Sequence, residues 1–147
     1  MKKLLLTALI GINLIASDII VKESSCDVDK TMQKVKTLIE ARGLKIFTLV
    51  DHQENARSVG LLMPKSKLII FGNPKIGTSF MLDKMQAGLD LPMKILVYKD
   101  TDLKVKIAYR DGTWLAKEHD LPITFAESKI NKAMDKITDK AGICTQD

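Results

Sequence analysis

The segment MKILVYKDTDLKVKIAYR, residues 93–110, indicates how the sheet of this protein is built. It contains two runs of mostly apolar and β-branched residues, 93–99 and 104–110, separated by a turn at residues 100–102. In the second run apolar residues alternate with lysines and an alanine, as expected for a half-buried strand. The two runs therefore predict a β-hairpin, whose strands pair antiparallel.

Further strands and helices are predicted on both sides of this hairpin. Short β-rich runs predict three more strands, at residues 19–23, 44–50 and 67–71. Apolar residues at helical spacing predict two long helices, at residues 27–42 and 124–141. Shorter helical insertions are expected between the strands. The order β-α-β-β-β-β-α predicts an α+β fold with a mostly antiparallel sheet and the two long helices on one sheet face.

The first seventeen residues have the features of a secretory signal peptide. Two lysines precede an apolar run at residues 4–16, and the small residue Ser17 follows. The run is shorter than the roughly 20 residues that span a bilayer. We expect cleavage after residue 16 or Ser17, leaving residues 18–147 as a single periplasmic or secreted domain without membrane attachment.

Charge and composition exclude several classes of protein. The 147 residues include 23 basic and 18 acidic side chains, and 46% of the residues are hydrophobic, which is typical of a globular protein. Residues 1–17 hold two of the basic residues and no acidic ones, so the net charge falls from +5 to +3 after cleavage. With only 5% aromatic residues, this charge argues against nucleic-acid binding.

Cys26 and Cys144 are the two cysteines, one near each end of the predicted domain. An even number of cysteines in an exported protein predicts a structural disulfide. Two separate thiols, one of them redox-active, are the alternative. The absence of a C-x-x-C motif argues against that redox function.

The segment FGNPKIGT, residues 71–78, leads from a predicted strand into a helix. Asn73 and Pro74 suit the cap and the first position of that helix. The free backbone N–H groups of a helix start attract anions, and Lys75 and Thr78 add a charge and a hydroxyl. Ordinary capping is the alternative, and the spacing is not that of a phosphate-binding P-loop.

His52 and His119 are candidates for metal ligands. Two histidines so far apart in the chain do not complete a zinc site, which takes three or four ligands. The alternative is that each histidine orders a loop together with the neighbouring Asp51 or Asp120. Several methionines lie in apolar stretches and are interpreted as core residues, not copper ligands.

Four segments together resemble the bacterial domain-of-unknown-function family 302. They are Asp51-His52, the FGNPKIGT block, LDLPMKILV at residues 89–97, and residues 109–119. The resemblance extends from about residue 19 to residue 121. It implies a single α+β domain and no established reaction, and it raises as a possible shared site His52, Asn73, Lys75, Gly77, Thr78 and His119.

The chain departs from the family pattern in one loop. Arg110-Asp111-Gly112 replaces a typical Asn-Asp-Pro, and Glu118 stands where a basic residue is usual. Both changes alter the charge of this loop. His119 and the preceding Leu115-Ala116 are retained.

The first functional hypothesis is a non-enzymatic periplasmic domain that binds a small anion, a polar metabolite or a partner protein. Its predicted binding residues are Asn73, Lys75, Gly77 and Thr78, with His52 if the fold brings it close. The alternatives are a metal-binding protein or metal-dependent enzyme that uses His52 and His119, and a structural homodimer formed through a sheet face or an edge strand. No cofactor and no catalytic residue are predicted.

Overall fold

Five antiparallel strands form one open sheet in the computed structural model, which describes residues 18–145. The predicted signal peptide at residues 1–17 lies outside the described residues. The order across the sheet is β1-β5-β4-β3-β2. The strands are β1 Ile20–Ser24, β2 Lys45–Asp51, β3 Ser66–Gly72, β4 Met93–Lys99 and β5 Val105–Tyr109. The predicted α+β class, the hairpin at 93–110 and the antiparallel pairing are confirmed.

Helices connect the strands and follow the last one. They are α1 Val28–Glu40, α2 His52–Ser58, α3 Pro74–Asp83, α4 Gly112–Glu118, α5 Ile123–Ala126 and α6 Lys132–Ala141. A 3-10 turn at Met85–Leu89 follows α3, and a π-helical turn at Glu127–Asn131 joins α5 to α6. The sequence predicts one uniform helix at 124–141. In the structure, the π-helical turn interrupts this helix and separates α5 from α6.

One face of the sheet is buried beneath α1 and α6. In the three central strands, Ile69, Ile95 and Ile107 have no exposed surface. Helix α1 is amphipathic, because residues at helical spacing such as Val35 and Ile39 are fully buried while its opposite side is charged. Helix α6 packs beside α1 and buries Ile137 in the same core.

Within residues 18–145, the other sheet face has no helix of this length against it. Leu68 and Leu96 lie one position along from buried core residues and therefore point to this open face. Both side chains are only partly buried. The sheet thus has one closed face and one open face, and each face carries a separate concavity.

Lys22 holds the edge strand β1 against α6. Its Nζ donates hydrogen bonds to Asp139 Oδ1 at 2.6 Å, Thr138 Oγ1 at 3.0 Å and Asp135 Oδ1 at 3.1 Å. Partial burial by itself lowers the pKa of Lys22, but hydrogen bonding to Asp139, Tyr109 and Asp135 outweighs it and raises the pKa above its ordinary value. This network stabilises the charged lysine and fixes β1 to α6.

Cys26 and Cys144 form a disulfide, as the sequence predicts, with a Cα–Cα distance of 5.3 Å. Two hydrogen bonds lie beside the disulfide. Ser25 N donates to Gly142 O at 2.8 Å, and Cys144 N donates to Ser25 Oγ at 2.7 Å. The segment before α1 is thus joined to the segment after α6.

Replacement of both Cys26 and Cys144 by serine is expected to lower the free energy of unfolding. The bridge joins residues 118 positions apart, and closing so long a loop in the unfolded chain contributes up to about 4–5 kcal/mol in the chain-entropy model. Thermal unfolding of the oxidised protein, the reduced protein and the double variant measures this. Equal midpoints for all three, or two titratable thiols in the native oxidised protein, would contradict the structural disulfide.

Gly112 begins α4 at a point where the π-helical turn approaches closely. A Cβ at Gly112 would lie 2.8 Å from Ala126 O and from Ile130 Cβ. Its backbone N–H donates to Asn131 Oδ1 at 2.7 Å. Only a residue without a side chain fits between α4 and this turn.

Gly112→Ala is expected to lower the free energy of unfolding by about 1–3 kcal/mol, because backbone atoms must move to relieve the contacts. Gly77→Ala is the matched control. A Cβ there meets nothing within 4 Å, and alanine in a helix is favoured over glycine by about 0.5–1 kcal/mol. Urea denaturation should show opposite signs for the two variants. A neutral Gly112→Ala would mean that α4 and the π-helical turn are not packed this tightly.

Candidate functional site

The predicted helix start at Asn73 is formed as the sequence indicates, and its first amides are capped by Asn73 itself. The side-chain Oδ1 accepts hydrogen bonds from Lys75 N at 3.0 Å and Ile76 N at 3.4 Å. Gly77 N donates to Asn73 O at 2.9 Å. An anion would have to compete with these contacts, so the structure favours capping as the function of these amides.

An apolar cavity of about 270 Å³ lies directly beside this helix start. It is bounded by the end of the sheet, by α3 and by the C-terminal segment, which consists of the π-helical turn Glu127–Asn131 and α6. The residues that form its walls are almost all apolar, among them Phe71 and Met93 of the sheet, Ile76, Phe80 and Met81 of α3, and Ile130, Ala133 and Met134 of the C-terminal segment.

Three polar side chains are present among the residues that line this cavity. They belong to Asn73, Thr78 and Lys129, and all three residues are exposed, which places them at the rim. Gly77 also lines the cavity, whereas Lys75 does not. The structure therefore brings three of the predicted binding residues together around an apolar cavity.

His52 is not near this cavity. Asp51, which precedes it, pairs with Lys67 at one end of β3, whereas Asn73 follows Gly72 at the other end. Five residues of strand at about 3.3 Å each separate these two ends by about 16 Å. The strand register therefore does not bring His52 to the Asn73 site.

His119 lies at the Asn73 end of the sheet and makes a local contact. Its Nε2 is 2.8 Å from Asp90 Oδ2. Asp90 lies three residues before Met93, and Met93 pairs with Phe71 at the Asn73 end of β3. His52 and His119 are therefore at opposite ends of the sheet and do not form a common metal site. Among residues 18–145, no three His, Cys, Asp or Glu side chains are grouped as metal ligands. His119 instead joins α4 to the loop before β4.

A second depression, of about 230 Å³, lies on the open face of the sheet. Lys94, Arg110 and Trp114 contribute to its lining, together with Asp90. Lys94 is not among the site residues predicted from the sequence. A pattern that could have identified it is its position as the charged residue inside the otherwise apolar run 93–97.

The C-terminal lining residues of the apolar cavity were also not predicted as site residues. Ile130 and Met134 belong to the apolar stripe of a helix, and this pattern is typical of core packing. Lys129 is one of many lysines in a charged helix. Nothing local distinguishes these residues, since only the tertiary fold places them and α3 around the same cavity.

Curated relatives share the domain within longer proteins. A protein of Brucella suis biovar 1 named "Fluoride-specific ion channel FluC 1" is 39% identical over 112 residues, which cover 76% of this chain and 44% of the relative. A Brucella abortus biovar 1 protein of the same name is also 39% identical, with 42% of its length covered. The chain thus spans less than half the length of these relatives. No helix within residues 18–145 is long and apolar enough to cross a membrane.

The fold is that of a solved structure. The crystal structure of an uncharacterized conserved DUF302 protein from Bacillus stearothermophilus superimposes with a TM-score of 0.75 at 18% sequence identity, over 86% of this chain and 99% of that one. The family profile described as "Domain of unknown function DUF302" matches residues 20–139. Since this match covers most of the chain, the protein belongs to the DUF302 family.

Proposed function

We propose that the protein is a non-enzymatic binding domain for a small, largely apolar molecule that carries one polar or anionic end. The observation that supports this best is the cavity beside Asn73, with apolar walls and three polar side chains at its rim. Small-molecule sites in proteins commonly combine an apolar concavity with a few polar groups that orient the ligand.

The volume of the cavity limits the size of the ligand. An apolar cavity of about 150 Å³ already accommodates a benzene-sized molecule, and this one measures about 270 Å³. A medium-length alkyl chain or a substituted ring is therefore a suitable size. Binding would be driven by the removal of apolar surface from water, at about 25 cal/mol per Å².

The rim determines the chemistry of the polar end. Asn73 uses its side-chain oxygen to cap α3, which leaves its amide nitrogen as a donor. Lys129 adds a positive charge and Thr78 a hydroxyl. Because the rim offers mainly donors, the polar end of the ligand is expected to be an acceptor such as a carboxylate. The anionic group that the sequence predicts at the Asn73 helix start would then be the polar end of a larger, mainly apolar ligand.

The cavity supports binding better than catalysis. Of the described residues, those that line it include no His, Cys, Asp or Glu, which are the side chains that most often act as nucleophiles, general acids or general bases. A ligand could be held and released at this site without being transformed.

The name of the Brucella relatives suggests a role near a fluoride channel, but fluoride itself does not suit this cavity. Apolar walls cannot replace the hydration of a small anion, and burying such a charge without donors is costly. We propose that the relatives share the binding domain, and that their channel activity belongs to the more than half of each protein outside the match.

Export, a protein partner and a homodimer stay predictions, although a Cys26–Cys144 disulfide favours an oxidising compartment.

Ala133→Met is expected to abolish or strongly weaken binding of 1-octanol and octanoate, because the longer side chain would occupy the cavity. Lys132→Met is the matched control, since it introduces the same residue at the exposed neighbouring position of α6. Isothermal titration calorimetry on the wild type and both variants measures the affinities. Equal binding to the two variants, or no binding of either probe to the wild type, would contradict the proposal.

Lys129→Met is expected to weaken octanoate binding several-fold and to leave 1-octanol binding nearly unchanged, because only the carboxylate interacts with the lysine charge. Lys140→Met, an exposed lysine on α6 outside the cavity lining, serves as control. The same titrations at two salt concentrations would show a stronger salt dependence for octanoate. An identical loss for the alcohol and the carboxylate would assign Lys129 a packing role only.

A further inference from the structure

The depression on the open face of the sheet is separate from the apolar cavity and differs from it in charge. Its floor is formed by Leu68, Leu96 and Ala108, which belong to three neighbouring strands. The side chain of the cavity residue Phe71 belongs to the opposite face, beneath the helices. Among residues 18–145, Met93 at the start of β4 is the one residue that lines both concavities. Apart from Met93, a molecule in the depression would therefore contact a different surface from a molecule in the cavity.

Two cationic side chains in the depression have no carboxylate partner. Within residues 18–145, no Asp or Glu oxygen lies within 4 Å of Lys94 Nζ or of the Arg110 guanidinium. By contrast, Lys106 of β5 forms ion pairs with Asp100 at 2.6 Å and Asp102 at 3.0 Å. With two cations and one carboxylate, that of Asp90, among its described lining residues, the depression has a net positive charge and attracts an anion.

Lys94 is held in position by the backbone of the preceding loop. Its Nζ donates to Asp90 O at 2.8 Å and to Pro92 O at 3.2 Å. An ammonium group has three donors, so one remains for a ligand. Burial lowers the pKa of this lysine and the nearby Arg110 lowers it further, against the effect of Asp90. An anion at this point would relieve that unfavourable environment.

Asp90 raises the pKa of Lys94 by its charge but forms no direct ion pair with it, and the carboxylate of Asp90 contacts His119 instead. Asp90 Oδ2 lies 2.8 Å from His119 Nε2, and the His119 side chain is only 9% exposed. This contact positions Asp90 and the loop whose carbonyls hold Lys94.

Arg110 is oriented by the indole ring of Trp114. Its Cζ lies 4.5 Å from the ring centroid, in a cation–π arrangement. A planar guanidinium fixed in this way can bind a carboxylate through two parallel hydrogen bonds. The arrangement also makes Trp114, the single tryptophan of the chain, a local reporter of binding.

We propose that this depression is a second binding site, for a small carboxylate with a compact apolar body. Lys94 and Arg110 bind the carboxylate, and the body lies on the apolar floor. The volume of about 230 Å³ accommodates a ring of six carbons. This inference goes beyond the proposed function, because it assigns a different site and an obligatory negative charge.

The test is a titration of Trp114 fluorescence in the purified protein with cyclohexanecarboxylate and with the neutral cyclohexanecarboxamide. Neither probe absorbs where tryptophan does. A saturable change with the carboxylate, and an affinity at least about tenfold weaker for the amide, are expected from the loss of charge-assisted hydrogen bonds. No saturable change, equal affinities, or tighter binding of inorganic phosphate would overturn the proposal.

Variants assign the binding to the two cations. Lys94→Met and Arg110→Met are each expected to weaken carboxylate binding at least about tenfold, whereas Lys99→Met, an exposed lysine on the same strand as Lys94, should change it less than about twofold. Unchanged affinity in either of the first two variants overturns the assignment. If Lys94→Met fails to fold by circular dichroism, the exposed Arg110 decides the outcome.

The cavity-filling variant Ala133→Met separates this site from the proposed function. It should leave the fluorescence titration unchanged, since Ala133 lines the apolar cavity and not the depression. Loss of carboxylate binding in Ala133→Met would show that the fluorescence change arises from the cavity, and the second site would then be wrong. Failure of octanol binding with a normal Trp114 response would contradict the proposed function alone.

Discussion

Apolar side chains on one face of the sheet leave water only because α1 and α6 lie across them. Ile69, Ile95 and Ile107, from three adjacent strands, are fully buried there, and each such side chain contributes about 1.5–3 kcal/mol when it is removed from water. The two helices need the sheet equally, since their own apolar stripes would otherwise be exposed. The Lys22 network and the disulfide hold this layer at its edge and at its ends. The other features of the molecule depend on this one-sided burial.

Both concavities arise from the limits of that cover. At the Asn73 end, α3 and the π-helical turn approach the sheet without filling the space between them, and an apolar cavity remains. On the opposite face, no long helix of the described chain, residues 18–145, excludes water, so partly buried Lys94 and exposed Arg110 can remain charged beside apolar strand residues. The two sites therefore have different chemistry for a structural reason. One lies within the apolar layer and the other on the solvated side of the sheet.

Local patterns were sufficient for most of the fold. The predicted strands agree with β1 to β5 to within one residue at most ends, and Asn73 and Pro74 begin α3 as expected. Hairpins, caps and amphipathic stripes involve residues close together in the chain, so their residue types indicate them directly. The wide turn at Glu127–Asn131 was not predicted, because its residues are those of an ordinary helix. Its position depends on packing against Gly112.

The candidate site was predicted only where it is local. The sequence by itself determined the α+β class, the hairpin, the capped helix start at Asn73 and the pairing of the two cysteines, because each follows from short-range preferences or from having one possible partner. Only the tertiary structure decided that His52 and Asn73 lie at opposite ends of β3, that Lys129 and Ile130 line the same cavity as α3, and that Lys94 and Arg110 line the same depression. These relations depend on strand register and on which face the helices cover, and both are set by contacts between segments distant in the chain.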